Sequence, residues 1–207
     1  SAKGVTCQDY SRVIVTGRAD SLYSGVTKLS VCDDLVPAAY DGTLTVEAVK
    51  EASGFDVIFP NHIFVLKSGL RKSSIVRYDA GNSHFVRIRN PKDQDAWRLE
   101  PRNKEQNFAL DLLLNRDIQL VTMVGPAGCG KTLLALAAGL SQVMERPVDG
   151  GSPPYRSLIV TRPVQPIGQD LGFLPGTIDE KMAPWVAPVM DNLKILVAGG
   201  RRDDGIL

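Results

Sequence analysis

The chain has 207 residues, of which 43% are hydrophobic and 23% charged, and its formal net charge is +1. That length suits one large or two small buried cores, and the near-neutral charge by itself says nothing about nucleic acid. No apolar run approaches the roughly 18 residues that a membrane span needs. The first residues lack the basic-then-apolar layout of a secretory leader. Cys7, Cys32 and Cys129 are widely spaced without a C-x-x-C pair, so they indicate neither a disulfide frame nor a zinc site. A cytoplasmic protein with His62 and His84 in ordinary structural positions is expected.

Residues 1–98 are predicted to form a small, mainly-β domain. Short runs with strand character cover Arg12–Thr16, Val26–Val31, Phe55–Phe59, Ile63–Lys67, Ser74–Tyr78 and His84–Arg89, with glycine and asparagine turns between them. Only Thr43–Glu51 reads as a helix, which suggests an antiparallel barrel or sandwich. Charge is unevenly spread here. Lys67, Arg71, Lys72, Arg77, Arg87, Arg89 and Lys92 face a single acid, Asp79, so a basic surface is expected. The turn Asp79-Ala80-Gly81-Asn82-Ser83 folds two runs into a hairpin, and strand alternation then sets Phe85, Arg87 and Arg89 on one side, Val86 and Ile88 on the other. Such a face is either the solvated outside of the domain or a stacking and phosphate surface for single-stranded RNA.

Residues 99–207 change texture. After a polar, proline-containing stretch near Asn90–Arg102, Asn103 opens an amphipathic helix that carries Phe108, Ala109, Leu112 and Leu113. From there helices alternate with two apolar runs, Ile118–Val124 and Ser157–Thr161, the βαβ signature of a parallel sheet. Between the first run and the helix expected from Thr132 to Met144 stands Gly125-Pro126-Ala127-Gly128-Cys129-Gly130-Lys131-Thr132, a complete G-x-x-x-x-G-K-[ST] phosphate loop. Its chemistry belongs to the backbone: successive N–H groups and the positive end of a helix dipole converge on an anion. Gly125, Gly128 and Gly130 allow the close wrap, Lys131 brings a mobile charge to the β- and γ-phosphates, and Thr132 is the expected Mg²⁺ ligand. ATP is the expected nucleotide, because no N-K-x-D guanine element follows the loop. Gln106 has two readings, a capping-box partner of Asn103 or a contact to the adenine edge. Pro147–Arg156 should be an exposed loop, and Pro184 and Pro188 should kink or delay the helix around Met182–Leu196.

Three segments together, Pro101–Gln106, Gly125–Thr132 and Thr161–Gly176, resemble the PhoH family of ATPases, in the bacterial form in which a PIN-type RNase domain precedes the ATPase. The likeness is good over about residues 100–195 and looser before that, where the start of the chain and Leu22–Val26 look like the connector after the nuclease. The resemblance implies an α/β P-loop NTPase core with a parallel sheet akin to superfamily 1 helicases, ATP hydrolysis coupled to RNA unwinding or remodelling, and homo-oligomers in the form of rings, hexameric ones among them. It also gives Arg162, which follows an apolar run, a role toward RNA, a neighbouring subunit's phosphate or a local acid. A P-loop ATPase needs a carboxylate pair at the end of a buried strand to hold Mg²⁺ and orient water. Asp179-Glu180 fits a helix start better, with Thr177 as cap, and Asp33-Asp34 lies far before the loop. The resemblance implies that the acidic strand lies beyond Leu207 and the PIN domain before Ser1, so the chain reads as a truncated ATPase that binds nucleotide better than it hydrolyses it. Two other functions stay open at this stage, a nucleotide-gated RNA-binding or assembly module without turnover and a small-molecule kinase.

Overall fold

The computed structural model describes residues 23–69, 72–89, 96–97, 99–144, 151–161 and 178–200, with side chains left out of account at 178–185 and 199–200. Four strands, β1 (Val26–Ser30), β2 (Ile63–Lys67), β3 (Ser73–Asp79) and β4 (His84–Arg87), form one sheet in the order β1-β2-β3-β4. β1 and β2 run parallel, while β2–β3 and β3–β4 are antiparallel. The sheet is mixed, and with its helices the module is α/β rather than the antiparallel barrel or sandwich expected. The difference comes from the crossover between β1 and β2, which holds two helices, α1 (Leu35–Asp41) and α2 (Val46–Ser53). A crossover of that length returns the chain in the same direction, whereas a hairpin would reverse it. α1 has no counterpart in the sequence reading because it is short and contains Pro37, which the first helical turn tolerates. α2 answers to the helix expected over Thr43–Glu51 but starts later, because the Thr45 hydroxyl caps it, accepting from the Ala48 N–H at 3.2 Å.

Both faces of the sheet are covered. Phe64, Leu66, Val76 and Phe85 point to one side and pack with Val36, Ala39, Leu44, Val49 and Ile58 of the α1–α2 layer. The alternate residues Ile63, Val65 and Ile88 meet Phe108, with Val26, Ile75 and Leu112 at the margin. Phe108 and Leu112 belong to α3 (Lys104–Leu114). This helix, placed in the second domain by sequence, packs on the sheet of the first. Its other side joins α4 (Lys131–Met144) and α5 (Ile178–Gly200) in a second core built on Leu110, Leu134, Leu136, Ala137 and Leu196. α5 runs through Pro184 and Pro188 and begins before both, so the late start expected from those prolines does not occur.

Three expected strands are not formed. Phe55–Phe59 is irregular, with only Ile58 turned inward and Pro60 next in the chain. Ile118–Val124 and Ser157–Thr161 form no regular element, and among the described residues no strand lies beside them. Leu120, Val124 and Ile159 stand in solvent, at 81%, 94% and 81% exposure, while Ile118, Val121 and Met123 are half-buried. A strand is stabilised by its neighbours' hydrogen bonds and side chains, which a run of suitable residues cannot supply alone. Leu158 does find a contact, against α4 at Gly139, where a Cβ would lie 2.7 Å from Leu158 Cδ1. The hairpin Asp79–Ser83 forms as read: Asp79 accepts from the Gly81 N–H at 3.0 Å and from Asn82 Nδ2 at 2.9 Å, and these bonds, that of Asn82 first, hold its carboxyl below the usual range. The expected strand Arg12–Thr16, the capping residue Thr177 and Arg162 lie outside the described residues.

Candidate nucleotide-binding site

The glycine loop is built as its sequence requires. Gly128 and Gly130 adopt φ of 77° and 92°, in the left-handed region where other residues are strained. At Gly125 it is space that is tight and not conformation, since a Cβ there would lie 3.2 Å from Cys129 Sγ and press on that side chain. α4 starts at Lys131, and the Gly130 carbonyl accepts its first helical bond, from Leu134 N–H, at 2.9 Å. The loop thus leads directly into a helix N-terminus, with the orphan amides and positive dipole end that attract anions. Lys131 Nζ donates to the carbonyls of Gly125 and Pro126, each at 2.8 Å, and lies 3.5 Å from Cys129 Sγ. The ammonium group therefore stays at the loop and does not turn into the interior. Pro126, Ala127 and Thr132 are exposed, and the Thr132 hydroxyl sits one residue inside the helix.

Gln106 is drawn to the same place by α3. Asn103 caps this helix, its side chain accepting from the Gln106 N–H at 2.8 Å. The reciprocal bond of a capping box is displaced by one residue: Gln106 Oε1 accepts from the N–H of Arg102 at 2.8 Å. The amide nitrogen of the same side chain donates to the carbonyl of Cys129 at 3.2 Å. One side chain therefore serves the helix end and the phosphate loop together.

The chain matches the family model described as PhoH-like protein over residues 98–204. It belongs to the PhoH family. Among its relatives, Protein PhoH2 of Bacillus subtilis (strain 168) is 38% identical over 197 residues, covering 94% of this chain and 42% of its own length. Protein PhoH2 of Mycolicibacterium smegmatis is 32% identical over 208 residues, 98% of this chain and 43% of the relative. Protein PhoH of Escherichia coli (strain K12) is 41% identical over 100 residues, 48% of this chain and 26% of the relative. The chain spans about two-fifths of the length of the PhoH2 relatives it matches. No solved structure matches it. Within the PhoH match fall the loop, Gln106 and Arg162, whereas the sheet residues Phe85, Arg87 and Arg89 lie before it.

Those sheet residues are only partly brought together. Arg87 and Arg89 are exposed, but Phe85 is 6% exposed and packs edge-on against Phe64 at 5.9 Å, so the aromatic expected beside the guanidinium groups is in the core. Strand alternation did put Phe85 and Arg87 on one face; α1 covers that face as far as Phe85 and leaves Arg87 at its rim. The ring that accompanies Arg87 is Tyr40 of α1, 4.0 Å beneath its guanidinium carbon, with its hydroxyl donating to the Ser73 carbonyl at 3.1 Å. Arg77, counted with the basic surface, is buried and faces α3, where its Nε meets Asp111 Oδ2 at 2.8 Å and Nη1 donates to Asn61 at 3.2 Å. Alternation with the apolar Ile75 was the available sign that Arg77 points inward.

Among the described residues no group of three His, Cys, Asp or Glu could hold a metal, and none of their helices is long and apolar enough to cross a membrane. His62 is structural: it is buried, stacks on Phe64 at 4.4 Å, and lies 2.9 Å from the Tyr23 hydroxyl and 2.8 Å from Thr27 Oγ1. Burial lowers its pKa. Cys32 and Cys129 are free thiols.

Proposed function

We propose that the chain supplies the ATP-binding part of a PhoH-type P-loop ATPase that couples nucleotide binding and hydrolysis to RNA unwinding or remodelling. The observation that carries this reading is the loop itself, whose two left-handed glycines, helix N-terminus and Lys131 ammonium meet at one place. In it the N–H groups of Gly125, Ala127, Gly128, Cys129 and Gly130 would cradle the β- and γ-phosphates, while Pro126, which has no N–H, would only shape the turn. Lys131 exchanges its two carbonyl partners for phosphate oxygens, a charge-assisted contact of higher strength. Mg²⁺ would be held by the Thr132 hydroxyl, a hard oxygen donor of the kind this ion takes. The ion would neutralise charge that develops on the transferred phosphoryl group.

RNA would meet the sheet at Arg87 and Arg89, with Tyr40 in the aromatic role and Arg162 contributing from the PhoH-type segment. The exposed Val186, Met190, Ile195 and Val197 of α5 support a contact between subunits of a homo-oligomer. Such a protein acts in the cytoplasm.

Fluorescent ATP titration and phosphate release, each with and without single-stranded RNA, test the reading. Tight binding that Lys131→Ala weakens by roughly 10- to 100-fold, together with RNA-stimulated release, is the expected result. ATP affinity that survives Lys131→Ala overturns the site. Charge reversal at Arg87 and Arg89 should remove the salt-sensitive part of RNA binding, lowering the slope against salt by about 2. An unchanged slope would move the RNA contact elsewhere.

A further inference from the structure

α3 touches both halves through polar side chains that successive turns carry. Near its N-terminus, Gln106 donates to the Cys129 carbonyl inside the phosphate loop. The neighbouring Asn107 is 2% exposed and donates from Nδ2 to the carbonyl of Arg89, just past β4, at 3.0 Å. One turn later Asp111 receives the buried guanidinium of Arg77 from β3. Two of these bonds fix the helix to the sheet, and the first reaches from the helix to the loop. A Cβ on Gly130 would come within 3.1 Å of Gln106 Nε2, so the amide lies closely against the loop at Gly130.

We infer that Gln106 is a positioning residue for the phosphate end of the nucleotide, acting through the Cys129 carbonyl, and that Asn107 and the Arg77–Asp111 pair hold it in place from the sheet. This rests on the nucleotide-loop reading and deepens it. Its physical basis is the peptide that joins Cys129 to Gly130. Holding its carbonyl by Gln106 fixes the plane of that peptide and hence the direction of the Gly130 N–H, one of the donors of the cradle. A donor already aimed loses less freedom on binding than one that must be ordered by the ligand. The consequence differs from that of a base contact. A glutamine that reads adenine contributes nothing to a ligand without a base, whereas one that shapes the loop contributes equally to any triphosphate.

The experiment compares ATP with inorganic tripolyphosphate, each with Mg²⁺, by calorimetric titration of the wild-type chain and of Gln106→Ala. Loss of one amide–carbonyl bond and its preorganisation should weaken both ligands by the same factor, roughly 3- to 10-fold. Gln106→Glu keeps an acceptor for the Arg102 N–H, and so the helix cap, while removing the donor to Cys129. At high salt, where its added charge is screened, it should weaken both ligands alike, which separates loop positioning from helix stability. Asp111→Asn, remote from the ligand, should show a smaller loss that is again equal for the two. A loss confined to ATP, or no loss for either ligand, overturns the inference and leaves the loop assignment standing. A wild-type chain that binds neither ligand overturns both.

Discussion

The sheet module and the phosphate-loop half bury their apolar residues by different means. In the module every strand has a partner and both faces are covered, so Phe64, Leu66 and Val76 are fully enclosed. In the loop half the helices pack well on one another, but the apolar runs Ile118–Val124 and Ser157–Thr161 have no strand partner among the described residues, and Val124 is 94% exposed. The contrast teaches that helices and strands depend on different distances in the chain. A helix completes its hydrogen bonds within four residues and needs only one covered stripe. A strand completes them only on another strand. The phosphate loop keeps its shape despite the open runs because its geometry comes from glycines, a helix start and local polar contacts.

The largest effect that could break this comparison lies in stability. Phe64→Ala should cost about 3–5 kcal/mol in urea unfolding, as large-to-small changes in a closed core do. Val124→Ser and Ile159→Ser should fall within about 0.5 kcal/mol of wild type, as changes at exposed sites do. Equal losses at Phe64 and Val124 would mean that the flanking run is paired in solution.

A second measurement addresses the joint between the halves. Asp111→Ala leaves the Arg77 guanidinium buried without its carboxylate, the side chains being 7% and 16% exposed. A destabilisation approaching about 3 kcal/mol is expected. The double variant Arg77→Met with Asp111→Leu should recover most of it, because a buried pair replaced by apolar groups of like size costs little. If the double variant is as unstable as the single one, packing at the joint matters more than charge.

The smallest effect concerns pH and belongs to the module alone. Burial lowers the pKa of His62, so below its ordinary value of about 6.5 the unfolded chain binds a proton that the folded chain resists. Stability from this group is therefore complete above that value and declines as pH falls from there through the lower folded pKa. A urea midpoint that drops between about pH 7 and pH 5.5, and a flatter profile in His62→Gln, are the expected outcomes. Identical profiles for the two proteins would remove His62 as the cause.

Local signals read correctly where the interaction they describe is local. Asn103 as helix cap, the Asp79–Ser83 hairpin and the glycines of the loop each depend on residues within a few positions, and all are found in place. Gln106 was legible as a capping partner by its spacing from Asn103, although its bond goes to Arg102. Its second bond, to Cys129, spans 23 positions and has no local sign. The same holds for Tyr40 beneath Arg87 and for Asp111 against Arg77, where a surface cation by sequence became an interior one.

The amino-acid sequence by itself determined the glycine loop, the helices on either side of it and the family, because glycine conformations, caps and helix periodicity are set by chain neighbours. Tertiary structure decided which apolar runs became strands, that Phe85 is core and Arg87 is surface, and that α3 ties the sheet to the loop. Those outcomes depend on which distant segment arrives to share hydrogen bonds or exclude water, and no short stretch of chain encodes its partner.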